Sequence, residues 1–186
     1  MPSLPNNDGG ERRRLIAVVG SGSEPHADIA RPLGRWLAHE GYHLLSGGGQ
    51  GVMAETAVGF RSVLERGGLA IGILPGLAKD GKIAAPPGYP NPSTDLAIRT
   101  HLPLTGAEGQ SPMSRNAIIV LTADAVVALP GAEGTRSEIE LALAHHVPLL
   151  LFSPGGEWAA YEDRAPAASR LEEVFAWVGE AAPKSR

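Results

Sequence analysis

Two side chains in this chain are of a type and placement that could do chemistry on a polar ligand: Arg115 and Glu138. Glu138 closes the run Pro130-Gly131-Ala132-Glu133-Gly134-Thr135-Arg136-Ser137-Glu138, in which a glycine-bearing turn leads into a helix. Thr135 can cap that helix or donate to a phosphate, and the helix start carries partial positive charge and free amides. Glu138 then has two readings, a ligand-facing carboxylate or the acidic member of a capping box. Arg115 offers a planar, permanently charged fork suited to phosphate or carboxylate.

Glycine clusters form the second constellation. Gly20-Ser21-Gly22-Ser23 and Ser46-Gly47-Gly48-Gly49-Gln50-Gly51 each follow a short apolar run. Bare glycines let backbone amides come close to an anion, so Gly47 to Gly51 read as a phosphate or ribose cradle; the alternative is tight turns that let a helix pack. The first loop has no third glycine at the dinucleotide offset, and Tyr42 to Leu45 carries no acidic residue. No Lys-Ser or Lys-Thr follows the glycines, so a P-loop is excluded.

The elements that must position these residues alternate between strand and helix. Leu15 to Val19, Tyr42 to Leu45, Ala70 to Leu74, Leu96 to Thr100, Ala125 to Leu129 and Pro148 to Phe152 read as strands of a parallel sheet. Helices are expected over His26 to His39, Val52 to about Arg66, Pro112 to Leu121, Thr135 or Gly134 to about His146, and Arg170 to Val178. The fold class is α/β, a Rossmann-like three-layer sandwich with helices on both faces. Gly20, Gly47 to Gly51, Pro75-Gly76 and Pro130 to Thr135 all fall at the carboxyl ends of strands, the edge where such sheets bind ligands. Residues 1–14 read as a flexible arm and residues 15–186 as one domain. Lys79 to Ser93, with its proline cluster, reads as an irregular surface loop that could flap over the site.

Bulk properties narrow the function. A formal net charge of -4 and a pI near 5.9 give no electrostatic footprint for nucleic acid or an anionic membrane. The absence of cysteine excludes disulfides and thiolate-held metal and fits a cytoplasmic protein. No apolar run approaches membrane-spanning length. His145 and His146 end a helix without partners at metal spacing, so no metal site is expected. Asp124 reads as structural, and the tryptophans read as core.

The segments Ser46 to Met53, Ser114-Arg115-Asn116-Ala117 and Pro130 to Glu138 resemble the LONELY GUY and "possible lysine decarboxylase" group, close to its molybdenum cofactor carrier-like branch. The likeness runs from about Leu15 to Phe152. It implies cleavage of a nucleoside 5′-monophosphate to free base and ribose 5-phosphate, with Arg115 and Glu138 as the catalytic pair and no cofactor required. Ligand contacts are then expected from Gly20, Ser21, Gly47, Gly48, Gly49, Gly51, Met53, Pro75, Asn116, Gly131, Gly134 and Thr135. A homodimer, or a dimer of dimers, is implied as well. A pyridoxal phosphate decarboxylase is not supported, since Lys79, Lys82 and Lys184 are the only lysines and none is suitably placed. The chain departs from the hydrolases at Ala132, where they have glycine, at Asn116, where they have lysine, and at Ser137, where they have glutamate. These departures are closer to the carrier-like branch, and imply as the alternative a non-enzymatic carrier or sensor of a phosphorylated pterin (the molybdenum cofactor) or a nucleotide.

Overall fold

The computed structural model describes residues 12–79 and 81–183; the expected arm lies largely outside them. Seven parallel strands form one sheet in the order β6-β3-β2-β1-β7-β8-β9. They are β1 (Leu15–Val19), β2 (His43–Ser46), β3 (Ala70–Leu74), β6 (Leu96–Arg99), β7 (Ala125–Ala128), β8 (Leu149–Phe152) and the two-residue β9 (Ala167–Ala168). The helices are α1 (Ala27–His39), α2 (Val52–Arg61), α3 (Asn116–Thr122), α4 (Glu133–Ala144) and α5 (Leu171–Ala181). The expected Rossmann-like three-layer sandwich is thus the observed fold.

The apolar runs form strands buried on both faces because successive side chains enter opposite cores. Ile16 and Val18 of β1 pack with α1, α2 and α5, whereas Ala17 and Val19 pack with α3 and α4. From β1 the chain winds outward through β2, β3 and β6, then returns to place β7 on the other side of β1. The β1 and β7 exits therefore diverge, which opens a crevice at the sheet's carboxyl edge. Two backbone bonds hold this switch point together: Leu129 N donates to Val19 O (2.8 Å) and Ser21 N donates to Pro130 O (3.0 Å).

Several boundaries differ from expectation. The α2 helix ends at Arg61, and residues 62–69 form turns that bring Gly68 against the Tyr42 backbone. Residues 77–84 include an antiparallel hairpin of β4 (Leu77–Lys79) and β5 (Lys82–Ala84), so the Pro-rich segment is less irregular at its start than its composition implied. The α3 helix begins four residues later than the expected Pro112 start, because 112–115 turn to place Arg115 at its N-cap.

The opposite, amino edge of the sheet is tied by carboxylates. Asp124 accepts from Leu15 N (2.8 Å) and Arg14 Nη1 (3.2 Å) and also pairs with Arg12. Asp95 accepts from Ala70 N (2.9 Å) and Arg66 Nη2 (2.9 Å). Both acids are structural and lie away from the crevice.

Candidate functional site

The crevice has a volume of about 210 Å³ and lies between the β1 exit, the Gly47 turn and the start of α4. Four polar side chains on its wall are almost wholly buried: Arg115, Asn116, Thr135 and Glu138. Among the described residues, Arg115 Nε and Nη1 and Thr135 Oγ1 have no hydrogen-bond partner. Each buried donor left unpaired costs about 1–3 kcal/mol, and folds rarely retain several together unless something else satisfies them.

The start of α4 decides between the two readings of Glu138. The helix begins at Glu133 with Ala132 as its N-cap and no side-chain cap. Glu138 therefore stands in the second turn, beyond reach of the helix-end amides, and a capping box is ruled out. Thr135 is the third residue of the helix, and its hydroxyl caps nothing. The free amides of Gly134 and Thr135 stay available at the positive end of the helix.

Burial pushes the Glu138 carboxyl up to about 7, against the opposing pull of the Arg115 positive charge. No ion pair joins the two residues among the described side chains; they share the crevice without neutralising each other directly. Desolvation prevails over attraction here, the usual outcome for a carboxyl in an apolar wall with no hydrogen bond to its charged form. Near neutral pH this group is both a proton donor and an acceptor.

A short polar clasp sets the two residues in place. Asn116 Nδ2 donates to Ser137 Oγ (3.0 Å), and Ser137 Oγ donates to Gly134 O (2.7 Å). Asn116 follows Arg115 and Ser137 precedes Glu138, so this bond links the start of α3 to the second turn of α4. It joins two of the three positions at which the chain departs from the hydrolases it resembles.

The glycine turn has a different fine structure from a bare cradle. A β-carbon at Gly47 would lie 2.7 Å from Arg115 Cζ, and one at Gly49 would lie 2.8 Å from Tyr89 Oη and 2.8 Å from Met53 Cε. Those two glycines admit the protein's own side chains. Gly48 has φ +69° and turns toward Leu74, and Gly51 has φ +61° and packs on the backbone of residues 21–23.

Of the expected ligand contacts, Gly20, Gly47, Met53, Asn116, Gly134 and Thr135 line the crevice together with Arg115 and Glu138. Gly48, Gly49, Gly51, Gly131 and Pro75 are not on its wall. Ser21 serves its own loop, its Oγ accepting from Glu24 N (2.8 Å). Among the lining residues that sequence reasoning missed are Tyr89, Thr105 and Gly106. Thr105 and Gly106 carried no signal beyond a lone glycine, whereas the signal available for Tyr89 was its aromatic ring amid prolines.

Residues 13–176 match the SLOG cluster4 family. The chain belongs to this family. A family-level likeness is also seen to an uncharacterized protein of Archaeoglobus fulgidus, 36% identical over 130 residues, covering 69% of this chain and 72% of that one. Among solved structures, the molybdenum cofactor binding protein of the phototrophic bacterium Rippkaea orientalis superposes with a TM-score of 0.70 at 29% identity, over 91% of this chain and 97% of that one. The molybdenum cofactor carrier protein of Chlamydomonas reinhardtii gives 0.70 at 25% identity, over 93% and 100%. The resemblance to the LONELY GUY group and its carrier-like branch is borne out by these matches.

Proposed function

We propose that the crevice binds a phosphorylated small molecule of the nucleotide or molybdopterin type. The observation that supports this reading is the set of buried, unpartnered donors of Arg115 and Thr135 converging at the start of α4. The amides of Gly134 and Thr135 and the Thr135 hydroxyl would donate to phosphate oxygens, and Arg115 would neutralise the dianion. The solved relatives named for molybdenum cofactor are consistent with a pterin ligand. Here that cofactor would be cargo, and the donors at α4 suit its phosphate end. Mass spectrometry of the small molecule that copurifies with the folded protein tests the reading. A phosphorylated nucleotide or pterin is expected, and recovery of only unphosphorylated ligands contradicts it.

A second reading, turnover, is favoured by Glu138 alone. In N-glycoside hydrolysis, water attacks C1′ of the ribose as the C1′–N bond breaks and its electron pair leaves with the base. Glu138 would take the proton from water, the base nitrogen would gain a proton from solvent, and Glu138 would return its own to solvent, giving free base and ribose 5-phosphate. A carboxyl ionising near neutrality beside a guanidinium suits both the proton transfer and the positive charge that builds on the ring. Purified protein assayed with AMP, CMP, GMP, UMP and a prenylated adenosine monophosphate should release base, and Glu138→Gln should nearly abolish it while nucleotide still binds. Tight binding with no release above the Glu138→Gln background leaves a carrier.

Assembly as a homodimer belongs to the same reading. Ile118 and Leu121 on the outer side of α3 and Leu96 and Ile98 on the edge strand β6 are exposed apolar residues that a second copy would cover.

A further inference from the structure

The geometry points to Tyr89 as the residue that recognises the planar ring of the ligand, so that a heteroaromatic ring strengthens binding beyond what the phosphate alone gives. This rests on the phosphate-site reading above and narrows the ligand class within it.

The chain has three tryptophans, three tyrosines and three phenylalanines. All of them except Tyr89 pack in or against the two core clusters. Tyr89 instead lines the crevice and remains half-exposed. An aromatic ring placed at a cleft with one side open is a stacking surface for another planar group.

The segment that carries it is not a loose flap. Asn91 is 1% exposed, and both its nitrogens grip the glycine turn: N donates to Gly48 O (2.8 Å) and Nδ2 donates to Gly49 O (2.8 Å). Its Oδ1 accepts from Ser93 N (3.0 Å). On the other side of Tyr89, Gln50 Nε2 donates to Gly88 O (2.8 Å). These bonds flank Tyr89 and fix the Pro-rich segment to the site, and a preorganised side chain loses little freedom when a ligand docks.

The two ends of the crevice have opposite chemistry. One is the start of α4, with free amides and the Thr135 hydroxyl. The other is a corner in which Met53 Cε meets the Tyr89 ring and its hydroxyl over Gly49. The Arg115 guanidinium, on the same wall, lies 5.9 Å from the Tyr89 ring centroid, which holds the ring by a cation–π contact. A ligand with phosphate at one end and a flat ring at the other fits this polarity. A sugar phosphate meets only the α4 half.

Calorimetric titration of AMP, GMP and ribose 5-phosphate into wild type, Tyr89→Ala and Tyr89→Phe tests the assignment. Wild type should prefer both nucleotides over ribose 5-phosphate. Tyr89→Ala should lower that preference by about fivefold or more, through weaker nucleotide binding, while its grip on ribose 5-phosphate shows the phosphate end intact. Tyr89→Phe keeps the ring and should restore most of the lost preference. Equal binding of all three ligands by wild type, or a preference unchanged in Tyr89→Ala, overturns the role of Tyr89 and leaves the phosphate site standing. An equal loss for all three ligands in Tyr89→Ala overturns it too. Failure of wild type to bind any of them at millimolar concentration overturns the phosphate site itself, and the ring assignment with it.

Discussion

Gly47 and Arg115 are fitted to each other: the space a β-carbon would fill at residue 47 is taken by the guanidinium, 2.7 Å from Cζ. The glycine turn after β2 thus seats the charged group that α3 delivers. Gly47→Ala should displace that group without backbone strain, since no positive φ is required there. We expect phosphate-ligand affinity to fall about tenfold, comparable to losing a hydrogen bond to a charged group. Calorimetry with AMP, alongside circular dichroism showing an unchanged fold, measures this.

Arg115 itself is a buried cation whose Nε and Nη1 lack partners. Replacing such a group by an apolar side chain of similar length relieves a desolvation penalty. Arg115→Met should therefore bind phosphate ligands poorly yet be as stable as wild type without ligand, or more stable by about 1 kcal/mol. A thermal melt of the unliganded variant below wild type contradicts this.

Glu138 predicts a pH signature. Its folded carboxyl ionises near 7, above the ordinary 4.5. A raised value means that the folded state holds the proton more tightly. The associated stability is complete below about pH 4.5 and is lost as pH rises through about 7. Full ionisation costs on the order of 3 kcal/mol. Denaturant titrations between pH 4.5 and 8 should show this fall in wild type and a flatter profile in Glu138→Gln.

Removing the Arg115 charge also removes the pull that lowers the Glu138 carboxyl. In Arg115→Met the Glu138 titration, followed by carboxyl carbon resonances, should move above 7. No movement would show that the two groups are not electrostatically coupled.

Much of the fold was legible because buried parallel strands are written as short apolar runs. Ala70–Leu74 is one such run, and Leu15–Val19 enters opposite cores residue by residue. The hairpin over residues 77–84 was not, because its strands are three residues each and Leu77 and Ile83 stay exposed, leaving no burial pattern to read. Arg115, Thr135 and Glu138 were legible as types near a helix start. The role of Glu138 was not, because it turned on whether the helix begins at Glu133 or Thr135, a shift that spacing cannot resolve. Tyr89 is held at the crevice by the hydrogen bonds of Asn91 to Gly48 and Gly49 and of Gln50 to Gly88, tertiary contacts across about forty residues with no periodic trace.

The central claim is that a phosphate sits at the start of α4, and a crystal structure of the protein soaked with AMP or GMP at millimolar concentration tests it most directly. The phosphate is predicted within hydrogen-bond distance of the Gly134 and Thr135 amides and Thr135 Oγ1, with Arg115 Nη1 or Nε contacting it or the ribose. A crevice left empty, or a nucleotide bound elsewhere with Arg115 and Thr135 still unpartnered, would contradict the account.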